Sequence, residues 1–113
     1  MLVIRNAKIY TCAGKIYEQA DILIDGQKIA AIGENLDVPP QTKSIDADGL
    51  VAMPGIVDAH SHVGLFGDGS GQDANEMTAN ATPEVESYYG IDIGDKAFQR
   101  VCRAGITVSA IPP

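Results

Sequence analysis

The stretch MPGIVDAHSHVG, Met53–Gly64, carries both histidines of this 113-residue chain, two positions apart and behind an aspartate. Pro54-Gly55 opens it, an apolar run follows, and Gly64 and Gly67 come after. This predicts a short strand of the buried kind, turning away sharply at its far end. Strand side chains alternate faces, so Asp58, His60 and His62 share one face, and Ala59, Ser61 and Val63 the other. Two imidazoles side by side can converge on one cation, because neutral imidazole is a common ligand for zinc and related metals. Asp58 stands one step earlier on that face. It could accept a hydrogen bond from a ligand's outer N–H, or from another nearby donor, and so hold a ring in place. The spacing alone does not separate this from a pair of ordinary, satisfied histidines. Two ligands are also too few, since a catalytic zinc normally takes three and keeps a position open for water. With no further histidine in the chain, the rest must be carboxylate, thiolate or residues beyond Pro113.

Upstream, the pattern is one of short strands and tight turns. LVIRNAKIYT, residues 2–11, mixes β-branched and polar residues. ADILIDGQKIAAIG, residues 20–33, sets two apolar runs around Asp25-Gly26, whose tolerance of positive φ suits a two-residue hairpin turn. Pro39-Pro40 cannot continue a ladder, so residues 35–43 read as a loop. SIDADGLVA gives two more short strands around Asp46–Gly49. The first 53 residues therefore predict a small antiparallel β unit.

Downstream, residues 65–91 are rich in Gly, Asp, Asn, Ser and Thr. Six acidic positions, Asp68, Asp73, Glu76, Glu84, Glu86 and Asp92, mark this segment and its edge. A connection this long is either a solvated loop or a cover for a substrate. DKAFQRVCRAG is helical, with Ala97, Phe98, Val101, Cys102 and Ala104 on one apolar face. Asp95 suits its N-terminal end, and Gly105 the left-handed residue past its C-terminus. ITVS then begins a second strand. Strand, helix and strand make a βαβ unit with parallel strands. A two-stranded parallel sheet cannot cover both its faces, so the fold reads as incomplete, or truncated.

Composition limits the partners. Formal net charge is −7, and the eight Lys and Arg form no block, which argues against nucleic acid. No apolar run approaches the roughly 18 residues that span a bilayer, and the N-terminus does not read as a secretion signal, so no membrane partner and a cytoplasmic location are expected. Cys12 and Cys102 then read as reduced, packed thiols.

The stretch SIDADGLVAMPGIVDAHSHVGLF, residues 44–66, resembles the opening signature of the amidohydrolase superfamily: a short strand, Pro-Gly, then Asp-X-His-X-His. The loop GSGQDANEMTANATPEV looks most like imidazolonepropionase-related members. The resemblance implies an α/β fold: a β-rich N-terminal unit, part of a small β-sandwich domain (residues 1–53), then the first βαβ of a (β/α)8 TIM barrel (residues 54–113). It implies a divalent metal, above all zinc, with one or two ions in a complete enzyme. His60 and His62 match the first-strand metal ligands, and Asp58 a supporting residue. The implied reaction is hydrolysis of small-molecule amide or cyclic amide C–N bonds, other than peptide bonds, by metal-activated water. The family's bridging ligand, further histidines and proton-shuttling aspartate have no counterpart here. The chain alone is therefore expected to be inactive, with no catalytic residue of its own. The alternative is a non-enzymatic binding or structural β module that dimerises to cover its exposed strands.

Overall fold

The structure, a computed structural model, describes residues 1–66, 74–75 and 77–112. Gly67, Asp68, Asp73 and Glu76, named above, lie outside the described residues. The chain divides into two compact units, Met1–Pro54 and Gly55–Pro113.

In the first unit, five strands form one sheet: β1 (Leu2–Tyr10), β2 (Ile16–Asp25), β3 (Lys28–Gly33), β4 (Lys43–Asp46) and β5 (Val51–Ala52). The order is β3-β2-β1-β4, with β5 also on β1. Asp25 pairs with Lys28, so the two-residue turn is Gly26-Gln27, one position later than expected. Gly26 is at φ +59° while Gln27 keeps an ordinary φ. That is the sign pattern of a turn with glycine at its first central position, so Asp25 is free to end the strand.

The unit is mixed rather than antiparallel. β1 runs antiparallel to β2, but β4 and β5 both run parallel to β1. The DADG segment does not reverse the chain; it sidesteps. Leu50 N–H donates to Ala47 C=O (2.9 Å), with Gly49 at φ +73°, and the strand resumes in the same direction. Opposite this sidestep, β1 bulges at Asn6 (φ +62°), and its Nδ2 donates to Asp46 Oδ1 (2.9 Å). A bulge leaves its extra residue outside the ladder, and here the detour of the neighbouring strand meets it. Among the described residues of this unit there is one sheet, with no second layer to make a sandwich.

The core of this unit is Ala7, Ile9, Ala20, Ile22 and Ala47, flanked by half-buried Ile4, Tyr17, Ile24, Ile32 and Ala52. At its edge Asp21 is only 3% exposed. Arg5 Nη1 donates to its Oδ2 (2.5 Å), as does Leu36 N–H (2.9 Å), while Asn6 N–H donates to Oδ1 (3.1 Å). Burial, the largest influence, pushes the Asp21 carboxyl up. The hydrogen bonds from Arg5, Asn6 and Leu36, with the Arg5 charge, together outweigh it and hold the group below the usual carboxylate range. One carboxylate thus joins β1, β2 and the loop after β3.

In the second unit, β6 (Ile56–Asp58) pairs in parallel with β7 (Ile106–Ser109), and α1 (Lys96–Arg103) lies between them in sequence. A βαβ unit is present, but β6 is only three residues long and ends before either histidine. It is not buried: Ile56 and Val57 are exposed, Val57 at 67%, and so is Val108 of β7. Gly55 is required by packing, since a Cβ there would sit 2.2 Å from Thr107 Cγ2. A single turn of 3-10 helix, Ser87–Tyr89, interrupts the long connection.

Helix α1 follows its sequence signals. Asp95 caps it by accepting Ala97 N–H (2.7 Å), and Gly105 follows at φ +92°. Its apolar face is narrower than expected: Ala97, Phe98 and Val101 are half-buried, whereas Cys102 and Ala104 are exposed. Eight residues make little more than two turns, and only one stripe of them meets a neighbour. Both cysteines are free and exposed, not packed. Cys12 sits at φ +54° in a tight 11–15 turn that shows its side chain to solvent.

Candidate metal centre

Two side-chain-to-backbone turns, rather than strand alternation, carry the chain past β6. Asp58 Oδ1 accepts the backbone N–H of His60 (3.2 Å), and Ser61 Oγ accepts that of Val63 (3.2 Å). Short polar side chains make such local bonds in competition with the sheet ladder, which is why β6 stops where it does. The ladder survives only through Ala110, whose N–H donates to Asp58 C=O and whose C=O accepts Ser61 N–H, each at 2.9 Å. The last turn is closed by Leu65 N–H on His62 C=O (3.0 Å), with Gly64 at φ +84°. A side chain at Gly64 would also strike Phe98 of α1, 2.7 Å from Cζ.

The outcome is convergence of the two rings. His60 Nε2 and His62 Nε2 lie 3.2 Å apart, with ring centroids at 5.2 Å and planes inclined by 30°. His60 is exposed and His62 half-buried. Two facing nitrogens at this separation either share one proton or direct both lone pairs at one cation. At zinc–nitrogen bonds of about 2.0–2.1 Å, a cation bound to both would subtend roughly 100°, close to tetrahedral. The pair therefore fits a divalent metal. The described bond of the Asp58 carboxylate goes to the backbone of His60, so it orients that residue through the main chain. Among the described residues, no group of three or more His, Cys, Asp or Glu gathers where a metal could be held.

The site lies at the carboxyl ends of β6 and β7, and the long connection is tied back to it. Asp92 N–H donates to Gly64 C=O (2.9 Å), and Ser87 Oγ donates to Ile111 C=O. Glu84, Glu86 and Asp92 are exposed along this segment. Sequence reasoning did not single out Ser61 or Ser87. Their one visible signal is a small hydroxyl residue beside a turn.

No protein-family profile matches the chain. Among curated proteins, it is 44% identical to a dihydroorotase of Streptococcus thermophilus over 62 residues, 55% of this chain and 14% of that protein. It is 38% identical to an imidazolonepropionase of Paenarthrobacter aurescens over 87 residues, 77% of this chain and 20% of that protein. The crystal structure of an amidohydrolase from Thermotoga maritima superposes on the whole chain with a TM-score of 0.83 and 34% identity, using 30% of its own length. An atrazine chlorohydrolase from Arthrobacter aurescens, complexed with zinc, matches 57% of this chain and 15% of its own, with a TM-score of 0.53 and 37% identity. The chain spans about a seventh to a fifth of the length of these curated relatives.

Proposed function

The relatives of this chain belong to the amidohydrolase superfamily, and it matches the N-terminal portion of such proteins; on that premise we propose that it is the opening portion of a metal-dependent hydrolase of amide or cyclic amide C–N bonds. The observation that carries this reading is the 3.2 Å separation of the two imidazole Nε2 atoms. His60 and His62 hold a divalent cation, and Asp58 fixes the first of them through its backbone. When bound, that cation supplies Lewis acidity and lowers the pKa of a water molecule. Imidazole donors suit zinc, iron, nickel and manganese; zinc is favoured by the zinc complex of the chlorohydrolase.

In this reading β6, α1 and β7 are the first βαβ of a (β/α)8 barrel, and residues 1–53 are a separate small β domain. Barrel sites sit at the carboxyl ends of the strands, where both histidines emerge. The remaining ligands and the proton shuttle come from polypeptide beyond these 113 residues, so the chain alone binds metal without turnover. The location is cytoplasmic and the substrate a small molecule; among the described residues no helix is long and apolar enough to cross a membrane.

Calorimetric titration with zinc tests the reading. One zinc per chain should bind, and His60→Ala or His62→Ala should each weaken it by roughly 100-fold, about 2.7 kcal/mol. Unchanged affinity in both variants would contradict it. Hydrolysis of simple cyclic amides by the zinc-loaded chain, above a His60→Ala His62→Ala control, would contradict the proposed inactivity. A second reading, a self-associating β module, is favoured by the exposed Ile56, Val57 and Val108. It predicts a metal-independent dimer in sedimentation.

A further inference from the structure

Tyr88 and Tyr89 stand apart from the other two tyrosines of the chain. Tyr10 and Tyr17 each carry a lysine ammonium over the ring, Lys8 at 5.6 Å and Lys15 at 4.2 Å. Tyr88 and Tyr89 pair with each other instead, edge to face, with centroids 5.5 Å apart and planes at 78°. They are 76% and 83% exposed on a single helical turn.

That turn is stitched to the histidine site on both sides. Before the tyrosines, Ser87 Oγ donates to Ile111 C=O, next to Ala110, whose own C=O takes the N–H of Ser61 between the two histidines. After them, Asp92 N–H donates to Gly64 C=O, two residues past His62. Between the stitches the packing is close: a Cβ at Gly90 would lie 3.5 Å from Leu65 Cδ2, and one at Gly64 3.3 Å from Ile91 Cγ2. The tyrosine pair is thus fastened to the same end of β6 and β7 as the imidazoles.

We infer that Tyr88 and Tyr89 form a substrate-contacting wall of the His60–His62 site, suited to a flat cyclic amide. In an edge-to-face pair only one ring face is covered, by the partner's edge, so an open face remains on each ring for stacking on a planar amide ring. The phenol hydroxyls can donate to a ring carbonyl or accept from a ring N–H. The inference rests on the proposed amide chemistry for its choice of ligand, but not on metal for contact.

The test is carbon-detected NMR of the whole 113-residue chain with 13C-labelled tyrosine, titrated with hydantoin, with and without zinc. Tyr10→Phe and Tyr17→Phe variants assign the remaining signals. The Tyr88 and Tyr89 ring signals should shift and saturate. Tyr88→Ala Tyr89→Ala should raise the hydantoin Kd by roughly tenfold, while Tyr88→Phe Tyr89→Phe keeps the stacking part and loses at most about threefold. Zinc affinity should be the same in all three. Rings that stay still to millimolar hydantoin, or an alanine variant that binds it as the parent does, overturn the inference even if zinc binds at the histidines. Shifts at both rings in a chain that binds no zinc uphold it and defeat the metal reading alone.

Discussion

The two units of this chain use the same device, a buried or half-buried aspartate bonded to backbone N–H groups, to different ends. In Met1–Pro54, Asp21 gathers Arg5, Asn6 and Leu36, and so ties β2 to β1 and to the loop after β3. In Gly55–Pro113, Asp58 takes a single N–H, that of His60, and the effect is to end a strand and swing an imidazole outward. The first unit holds nearly all the buried side chains, Val3, Ala7, Ile9, Ala20, Ile22 and Ala47; among described hydrophobic residues the second buries only Val63. Buried packing is concentrated in one unit and the proposed metal site in the other.

The sharpest way to break that contrast is to remove Asp21. Asp21→Ala leaves a guanidinium and two amide N–H groups without their partner, and should cost roughly 3 kcal/mol in chemical denaturation. A loss that small substitutions on the exposed surface could match would show that the first unit is not braced there. Next comes Asp58→Ala, which should leave the denaturation midpoint nearly unchanged yet weaken zinc binding by about tenfold, the usual effect of removing a group that supports a ligand. If it unfolds the chain instead, the two aspartates do the same work.

Acidity sharpens the comparison further. The folded-state pKa of Asp21 lies below its unfolded value. Its contribution is therefore complete above the unfolded carboxyl pKa, about 4, and is lost as pH falls through the lower folded value. Denaturation followed from pH 6 to pH 2 should show the loss, and Asp21→Asn should flatten it. The smallest expected effect is at the hairpin. Gly26→Ala forces a Cβ into positive φ and should cost about 1 kcal/mol. Amides flanking that turn should exchange more slowly than those of the 77–86 segment, and uniform protection would erase the difference between the units.

Local chemistry made much of this readable in advance. Asp95 and Gly105 bound α1 because capping acts over one or two residues, and Pro39-Pro40 marks a loop for the same reason. The hairpin was found and its turn misplaced by one residue, since Asp-Gly and Gly-Gln both satisfy a two-residue loop and only cross-strand register chooses. The parallel course of β4 and β5 was not legible: DADG looks like a reversal, and the sidestep it makes instead is matched by a bulge at Asn6, forty residues from Asp46. At the site, His60 and His62 do lie close together, but not through the cause expected. Strand alternation was expected, whereas Asp58 and Ser61 bend the backbone and bring the rings together after β6 has ended.

The central claim is that both imidazoles grip one ion. Crystals of the chain soaked in zinc and measured either side of the zinc absorption edge test it directly. A single anomalous peak about 2.0–2.1 Å from His60 Nε2 and from His62 Nε2 is the predicted result. Zinc on one ring only, or elsewhere with the two nitrogens still 3.2 Å apart, would contradict it.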